Sequence, residues 1–197
     1  MLKDFDNAFT NKIKNWYSNT IYANTAIVYN IAYNLVSDAT TELRFPLISI
    51  YRPTGFNLRP DQNFAARRQG IEYFYNQEDN KSSLARFLTV TLPYQLDIYT
   101  KSPEDLDDIT ENIMQALNFD PTLTVSQKDD ETGEYFTERY DITYNNGPVE
   151  QSEFQHGDRV YHYSIVYEIT NARLVNFKTR KSVSTTDVDT EVNDEEV

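Results

Sequence analysis

The sequence predicts an α+β domain: a mixed, mainly antiparallel sheet with helices packed on one face, a long inserted loop and a flexible acidic C-terminal tail. Three observations predict it. Apolar residues switch along the chain between a helical period and strict alternation. The stretch "LPYQLDIYTKSPEDLDDITENIMQAL", Leu92 to Leu117, passes from an alternating strand into a capped helix with almost no loop. Of 197 residues 15 are Tyr, which suits half-buried strands and interfaces where one end of the ring stays wet.

The first helix is expected over about Asp4 to Tyr17. Phe5, Phe9, Ile13 and Trp16 make one apolar stripe there, either core packing or a face that docks onto a neighbour. From Ala26 to Val36 the period is two, with Ile27, Tyr29, Ile31, Tyr33 and Leu35 on one side. Ser37 to Thr41 reads as a turn and Leu43 to Arg52 as the returning strand. Pro46 cannot donate to a ladder, so that strand is expected at an edge or bulged.

Pro53 to Ser83 is a long mixed connection, of a length that is usually functional or locally folded, with a short helix expected near Asp61 to Arg68. A strand follows over Leu84 to Thr100. Leu92, Tyr94, Leu96 and Ile98 are expected to face the core, and Gln95, Asp97, Tyr99 and Lys101 to face out. Ser102 then caps a helix, Pro103 takes its first position and Asp105 completes a Ser-x-x-acid cap. Leu106, Ile109, Ile113 and Leu117 form its inward stripe.

Beyond Pro121, "TLTVSQK" and "YFTERYDITY" flank "DDETGE", a hairpin turn centred on Gly133. "NNGP" (Asn145 to Pro148) is expected to open a second loop. Gly157 to Thr170 is the closing strand, with Val160, His162, Ser164, Val166 and Glu168 alternating against Tyr161, Tyr163, Ile165, Tyr167 and Ile169. Residues 1–172 are therefore expected to form a single domain. Residues 173–197 form a basic-then-acidic arm: Arg173, Lys178, Arg180 and Lys181, then acids from Asp187 to Glu196, too poor in apolar residues to pack when isolated.

Composition narrows the function. The chain has no Cys, so disulfides and thiolate chemistry are excluded. No stretch approaches the apolar length of a membrane span, and "MLKDFDNAFTNKIKNWYSN" lacks the apolar core of a secretory signal. A formal charge of −13 argues against binding nucleic acid or an anionic membrane, and is compatible with a surface that DNA passes without sticking.

No catalytic set, metal site or cofactor is expected. His156 and His162 are spaced unsuitably for a zinc pair, and neither a phosphate-cradling Gly loop nor a nucleophile elbow is present. Glu104, Asp107, Asp108 and Glu111 fall on the outward side of their helix. Glu104 and Asp105 also lie in its first turn, where acids favour the macrodipole. A solvated, capped helix accounts for these carboxylates.

The join between strand and acidic helix resembles the tail-terminator and proximal sheath-stabiliser proteins of tailed bacteriophages. The matching residues are Tyr94, Leu96, Ile98, Tyr99, Thr100, Asp107, Asp108, Ile109, Ile113, Leu117 and Pro121. "FPLISIYR" (Phe45 to Arg52) and "DRVYHYSIVYEIT" (Asp158 to Thr170) are similar to two further strands of that family, in the same order. The resemblance implies a non-enzymatic virion protein assembled in the host cytoplasm. It would form a homo-oligomeric ring, hexamer or dodecamer, at the head–tail joint beside portal, neck or tail proteins. DNA would pass its lumen without specific binding.

The alternatives are a carboxylate- or metal-dependent hydrolase built on the 104–111 acids, and a host-directed adaptor using the acidic tail. For a ring, the expected contacts are Arg59, Arg67 and Arg68 in the most basic part of the chain. The outward strand residues Asp97, Tyr99 and Lys101 come next, and then Phe177, Lys178, Arg180 and Lys181 as an arm.

Overall fold

The structure is a computed structural model, which describes residues 2–23, 45–53, 70–76, 81–128, 135–155, 158–176 and 182–183. The chain order is α1 (Leu2–Lys14), β1 (Thr20–Tyr22), β2 (Leu47–Tyr51), β3 (Gly70–Asn76), β4 (Lys81–Thr100), α2 (Pro103–Phe119), β5 (Thr122–Lys128), β6 (Tyr135–Glu150), β7 (Glu153–Gln155), β8 (Asp158–Asn176) and β9 (Ser182–Val183). The main sheet runs β1-β2-β4-β8-β6-β5; β3 and β9 add to β4, and β7 to β8. Among the described residues only the β1–β2 pair is parallel. The fold is thus α+β on a mixed, mainly antiparallel sheet.

Helix α1 forms because Phe5, Phe9 and Ile13 recur every four residues, and all three are fully buried. This stripe enters the chain's own core rather than a neighbour's: Phe9 packs on Tyr94 at 4.9 Å and Phe5 on Tyr140 at 5.1 Å between ring centroids. The stripe stops one turn earlier than its period suggests. The N–H groups of Trp16 and Tyr17 both bond the Ile13 carbonyl (3.0 and 2.9 Å), which closes the last turn. Trp16 is left 38% exposed, with the Lys12 ammonium 5.4 Å from its ring centre.

Strands β4 and β8, 20 and 19 residues, form the spine. At about 3.4 Å per residue each is several times longer than a common strand. Along one edge of β4, β3 pairs with Lys81 to Phe87 and β2 with Gln95 to Tyr99. Pro93 falls between them, where a missing N–H deprives neither ladder of a donor. The expected edge position of Pro46 is corrected similarly: it precedes β2, which carries β1 on one side and β4 on the other.

Two irregularities set which side chains face the helices. Between Val90 and Leu92 the β4–β8 register shifts, so Thr91 stands opposite Thr170 and Asn171. Asn171 absorbs the bulge at φ +54°, a left-handed conformation that Asn tolerates better than most residues. Parity on β8 flips there: Ile165, Tyr167 and Ile169 face the core, and the next core residue is Ala172. The second irregularity is "NNGP". It does not open a loop; β6 runs through it with shifts after Tyr144 and Asn146. Gly147 sits at φ +114° against β8, where an added Cβ would lie 2.7 Å from the Ser164 carbonyl oxygen.

Helices α1 and α2 contribute to one core with the β4, β5, β6 and β8 residues of that face. The second sheet face holds a smaller cluster of Leu47, Tyr99 and Val160, with Ile21 and Phe45 beside it. The long connection after Pro53 contains β3, so part of it is folded; the helix expected near 61–68 lies outside the described residues. So do the strand expected over 26–36, the 129–134 turn and the acidic tail from 184 onward. Strand β8 carries through the expected boundary at 172/173 to Asn176, paired with Arg86, and β9 pairs with Ser82 and Ser83. No helix among the described residues is long and apolar enough to cross a membrane.

Candidate functional site

Asp97 and Tyr99 were expected to face solvent, and the structure reverses this. Both lie on the sheet face away from the helices, yet Asp97 is fully buried and Tyr99 nearly so. Alternation assigned them correctly to the polar side of β4; this second face is covered as well. Lys101 alone of the three is exposed, its ammonium 5.6 Å from the centre of the Phe45 ring. Arg59, Arg67, Arg68, Phe177, Lys178, Arg180 and Lys181 lie outside the described residues.

Burial of Asp97 gathers a polar cluster. Its cross-strand partner is Ser164, and His162 lies diagonally, two residues along β8. The Asp97 Oδ1 to His162 Nε2 distance is 3.3 Å, with their side chains 0% and 2% exposed. Gln95 donates to Asp97 Oδ1 at 2.9 Å, and the Tyr51 hydroxyl donates to Gln95 Oε1 at 2.7 Å. The Tyr99 ring stacks on the imidazole, 4.2 Å between centroids and 16° from parallel. Burial works to raise the Asp97 pKa, but the hydrogen bonds from His162, Gln95 and Ser164 outweigh it and hold the carboxyl below its ordinary value. The His162 N–H bonds the Ser152 hydroxyl at 3.2 Å, and its carbonyl accepts from Gln151 at 2.9 Å, which fixes the backbone. Such a cluster can hold a charge and rigidify three strands. The sequence signal for it was two polar half-strands, Gln95-Asp97-Tyr99 and His162-Ser164.

A second buried carboxylate ties α1 to the sheet. Asp6 accepts from the Tyr94 hydroxyl at 2.7 Å and from Arg52 Nε at 3.0 Å. Burial first, and the bond to Asp6 second, push the Tyr94 pKa far up, so the phenol stays a donor. Sequence reasoning missed Asp6 because it sits among the polar residues of an amphipathic helix.

The carboxylates of α2 lie as the sequence predicted. Leu106, Ile109, Ile113 and Leu117 are buried; Glu104, Asp107, Asp108 and Glu111 are exposed. Ser102 accepts from the Asp105 N–H at 3.5 Å, and its carbonyl accepts from Leu106. Asp107 takes a hydrogen bond from Tyr163. No cluster of three or more His, Asp or Glu able to hold a metal occurs among the described residues.

Two further concave surfaces lie beside β5 and β6. An apolar groove of about 440 Å³ lies between α2 and β6, lined by Met114, Leu117, Pro121, Ile142, Tyr144 and Tyr167. Phe119, 84% exposed, and Tyr144, 51% exposed, project nearby. A polar groove of about 800 Å³ runs between α1 and β5. The Lys12–Asp120 ion pair crosses it at 2.5 Å and holds the Asp120 carboxyl below its ordinary value. No known protein family matches this chain, and no curated protein sequence matches it.

Proposed function

We propose that the chain is a non-enzymatic structural subunit of a tailed-bacteriophage virion, forming a homo-oligomeric ring at the head–tail joint as a tail terminator or a neck ring. The observation that carries this reading is the join of strand and helix. β4 passes into α2 through Lys101 and Ser102 alone, with the apolar stripe of α2 buried and its acids outward. This is the block that resembles the tail-terminator proteins, and it lies within the mixed, mainly antiparallel sheet. Exposed Phe119, Tyr135 and Tyr144 supply the aromatic surface that protein interfaces favour.

In this reading portal, neck or tail proteins stack on the ring, and repeated acidic subunits give a lumen that repels DNA phosphate. Arg59, Arg67, Arg68, Lys101, Phe177, Lys178, Arg180 and Lys181 are its proposed contacts. Asp97 and Tyr99 act behind that surface, by fixing the strand that leads into Lys101. Proteomics and cryo-EM of purified particles test the proposal: the chain should be present and arranged as a ring. Particles that lack it, together with mass photometry showing only monomer beside candidate ring proteins, would sink the idea.

A further inference from the structure

Asn146 and Gly147 form the one Asn-Gly pair in the chain, and they lie inside a strand. Strand β6 is irregular there. It advances from Asn146 to Val149 while β8 moves only from Val166 to Ser164. Gly147 therefore falls within a bulge, and its N–H donates to the Asn146 side-chain Oδ1 at 2.9 Å. The Tyr144 hydroxyl donates to the Gly147 carbonyl, which holds the residue from its other end.

These contacts poise two groups to react. The Gly147 nitrogen lies beside Asn146 Cγ, the carbon bonded to the oxygen that its N–H meets. Joining the two atoms closes a five-membered ring. Once the nitrogen loses its proton, its lone pair points where the N–H pointed, at the side-chain amide, so nucleophile and target are already aligned. A side chain on residue 147 would hinder the approach, and the fold excludes one. Its φ is +114°, and an added Cβ would lie 2.7 Å from the Ser164 carbonyl oxygen. The bulge thus requires the residue type that leaves this nitrogen open. Asn146 is exposed, so water reaches its amide and ammonia can leave.

We propose that Asn146 is a self-modification site, at which the Gly147 nitrogen displaces the side-chain amide. The N–Cγ bond forms and the Cγ–NH2 bond breaks. The Gly147 proton passes to water, and the leaving amide takes up a proton as ammonia. One water then opens the cyclic imide. Attack at Cγ gives aspartate; attack at the Asn146 backbone carbonyl carbon gives isoaspartate, whose main chain runs through Cβ. Nothing is oxidised or reduced, and water is the only co-reactant. Either product adds a negative charge next to Asn145, whose amide donates to the buried Glu168 carboxylate at 2.6 Å. Isoaspartate also lengthens the backbone by an atom where Gly147 packs against β8, so it should loosen β6. The inference goes beyond the ring reading and does not depend on it.

Peptide mapping by mass spectrometry of the full native chain, held in mildly alkaline buffer, tests it. The peptide with Asn146 should appear about 17 Da lighter as the imide, then about 1 Da heavier as aspartate and isoaspartate. Asn145, which Asn146 follows, should stay intact. Conversion in the native chain should be at least as fast as in the urea-unfolded chain, since the bulge already aligns the reacting atoms. Asn146→Gln, which would have to close a larger ring, should fold normally and keep its mass. The isoaspartate form, separated by its added charge, should unfold at a lower urea midpoint than fresh protein. Native conversion more than about tenfold slower than in urea would show that the strand protects the amide, and would overturn the proposal. So would Asn145 converting before Asn146, or an isoaspartate form with an unchanged midpoint.

Discussion

The side-chain amide of Gln127 serves as a strand for Val175. Its Nε2 donates to the Arg173 carbonyl at 2.7 Å and its Oε1 accepts from the Val175 N–H at 3.2 Å, with the side chain fully buried. β6 pairs with β8 only as far as Thr170. Beyond that point one glutamine from β5 supplies the donor and acceptor that a neighbouring strand would have given. Gln127→Leu keeps the volume but leaves both backbone groups buried and unmet. The expected loss is about 2–4 kcal/mol, read as a lower urea midpoint with an unchanged slope. A loss under about 0.5 kcal/mol would show that water replaces the amide.

Gly147 gives a sharper steric case. At φ +114°, with Ser164 O only 2.7 Å and Ile165 Cα 2.9 Å from any added Cβ, it has no room for a side chain, and its contacts are backbone. Gly147→Ala should destabilise the fold by more than about 2 kcal/mol. Asn146→Ala, one residue away on the exposed side of the bulge, should change stability far less. Thermal unfolding of the two variants side by side makes the comparison.

How much of this was legible depends on what each residue answers to. Phe5, Phe9 and Ile13, the α2 stripe and its Ser102 cap answer to local periodicity, and they fold as their spacing predicts. The antiparallel pairing of β5 with β6 does too. The "NNGP" stretch looks like a loop because Asn, Gly and Pro favour turns. It stays in β6 because β8 pairs on both sides of the bulge, a fact held 20 residues away. Asp97 and Tyr99 follow the alternation, but a period of two names a face and not what covers it. The Asp97–His162 pair depends on a register between β4 and β8 that neither strand encodes alone. Gln127 carries no sequence signal, since its partners are backbone groups.

Asp97 predicts a pH dependence with a definite sign. Its folded pKa lies below its ordinary value of 3.8, so its stabilising contribution is fully present above that value. The contribution is lost as pH falls through the lower folded value. Asp97→Asn should cost about 3 kcal/mol at neutral pH by leaving His162 without its carboxylate partner. It should also flatten the acid limb of stability against pH below about 4. Equal acid limbs in wild type and variant would mean that another carboxylate controls acid unfolding.

The outward acids of α2 provide the test that separates architecture from chemistry. Asp108 is exposed, and Asp107 is exposed while accepting a hydrogen bond from Tyr163. Neither supports the buried stripe. Asp107→Asn with Asp108→Asn should therefore shift stability by no more than about 1 kcal/mol. Ser102→Ala, which removes only the cap, should cost about 1 kcal/mol on its own, because one N-terminal N–H loses its acceptor. If the helix is architectural, particles assembled with the double variant keep normal infectivity, and the cap variant weakens the fold without altering the product. If the double variant assembles intact particles that have lost a measurable turnover, the carboxylates are chemistry and the ring reading is incomplete.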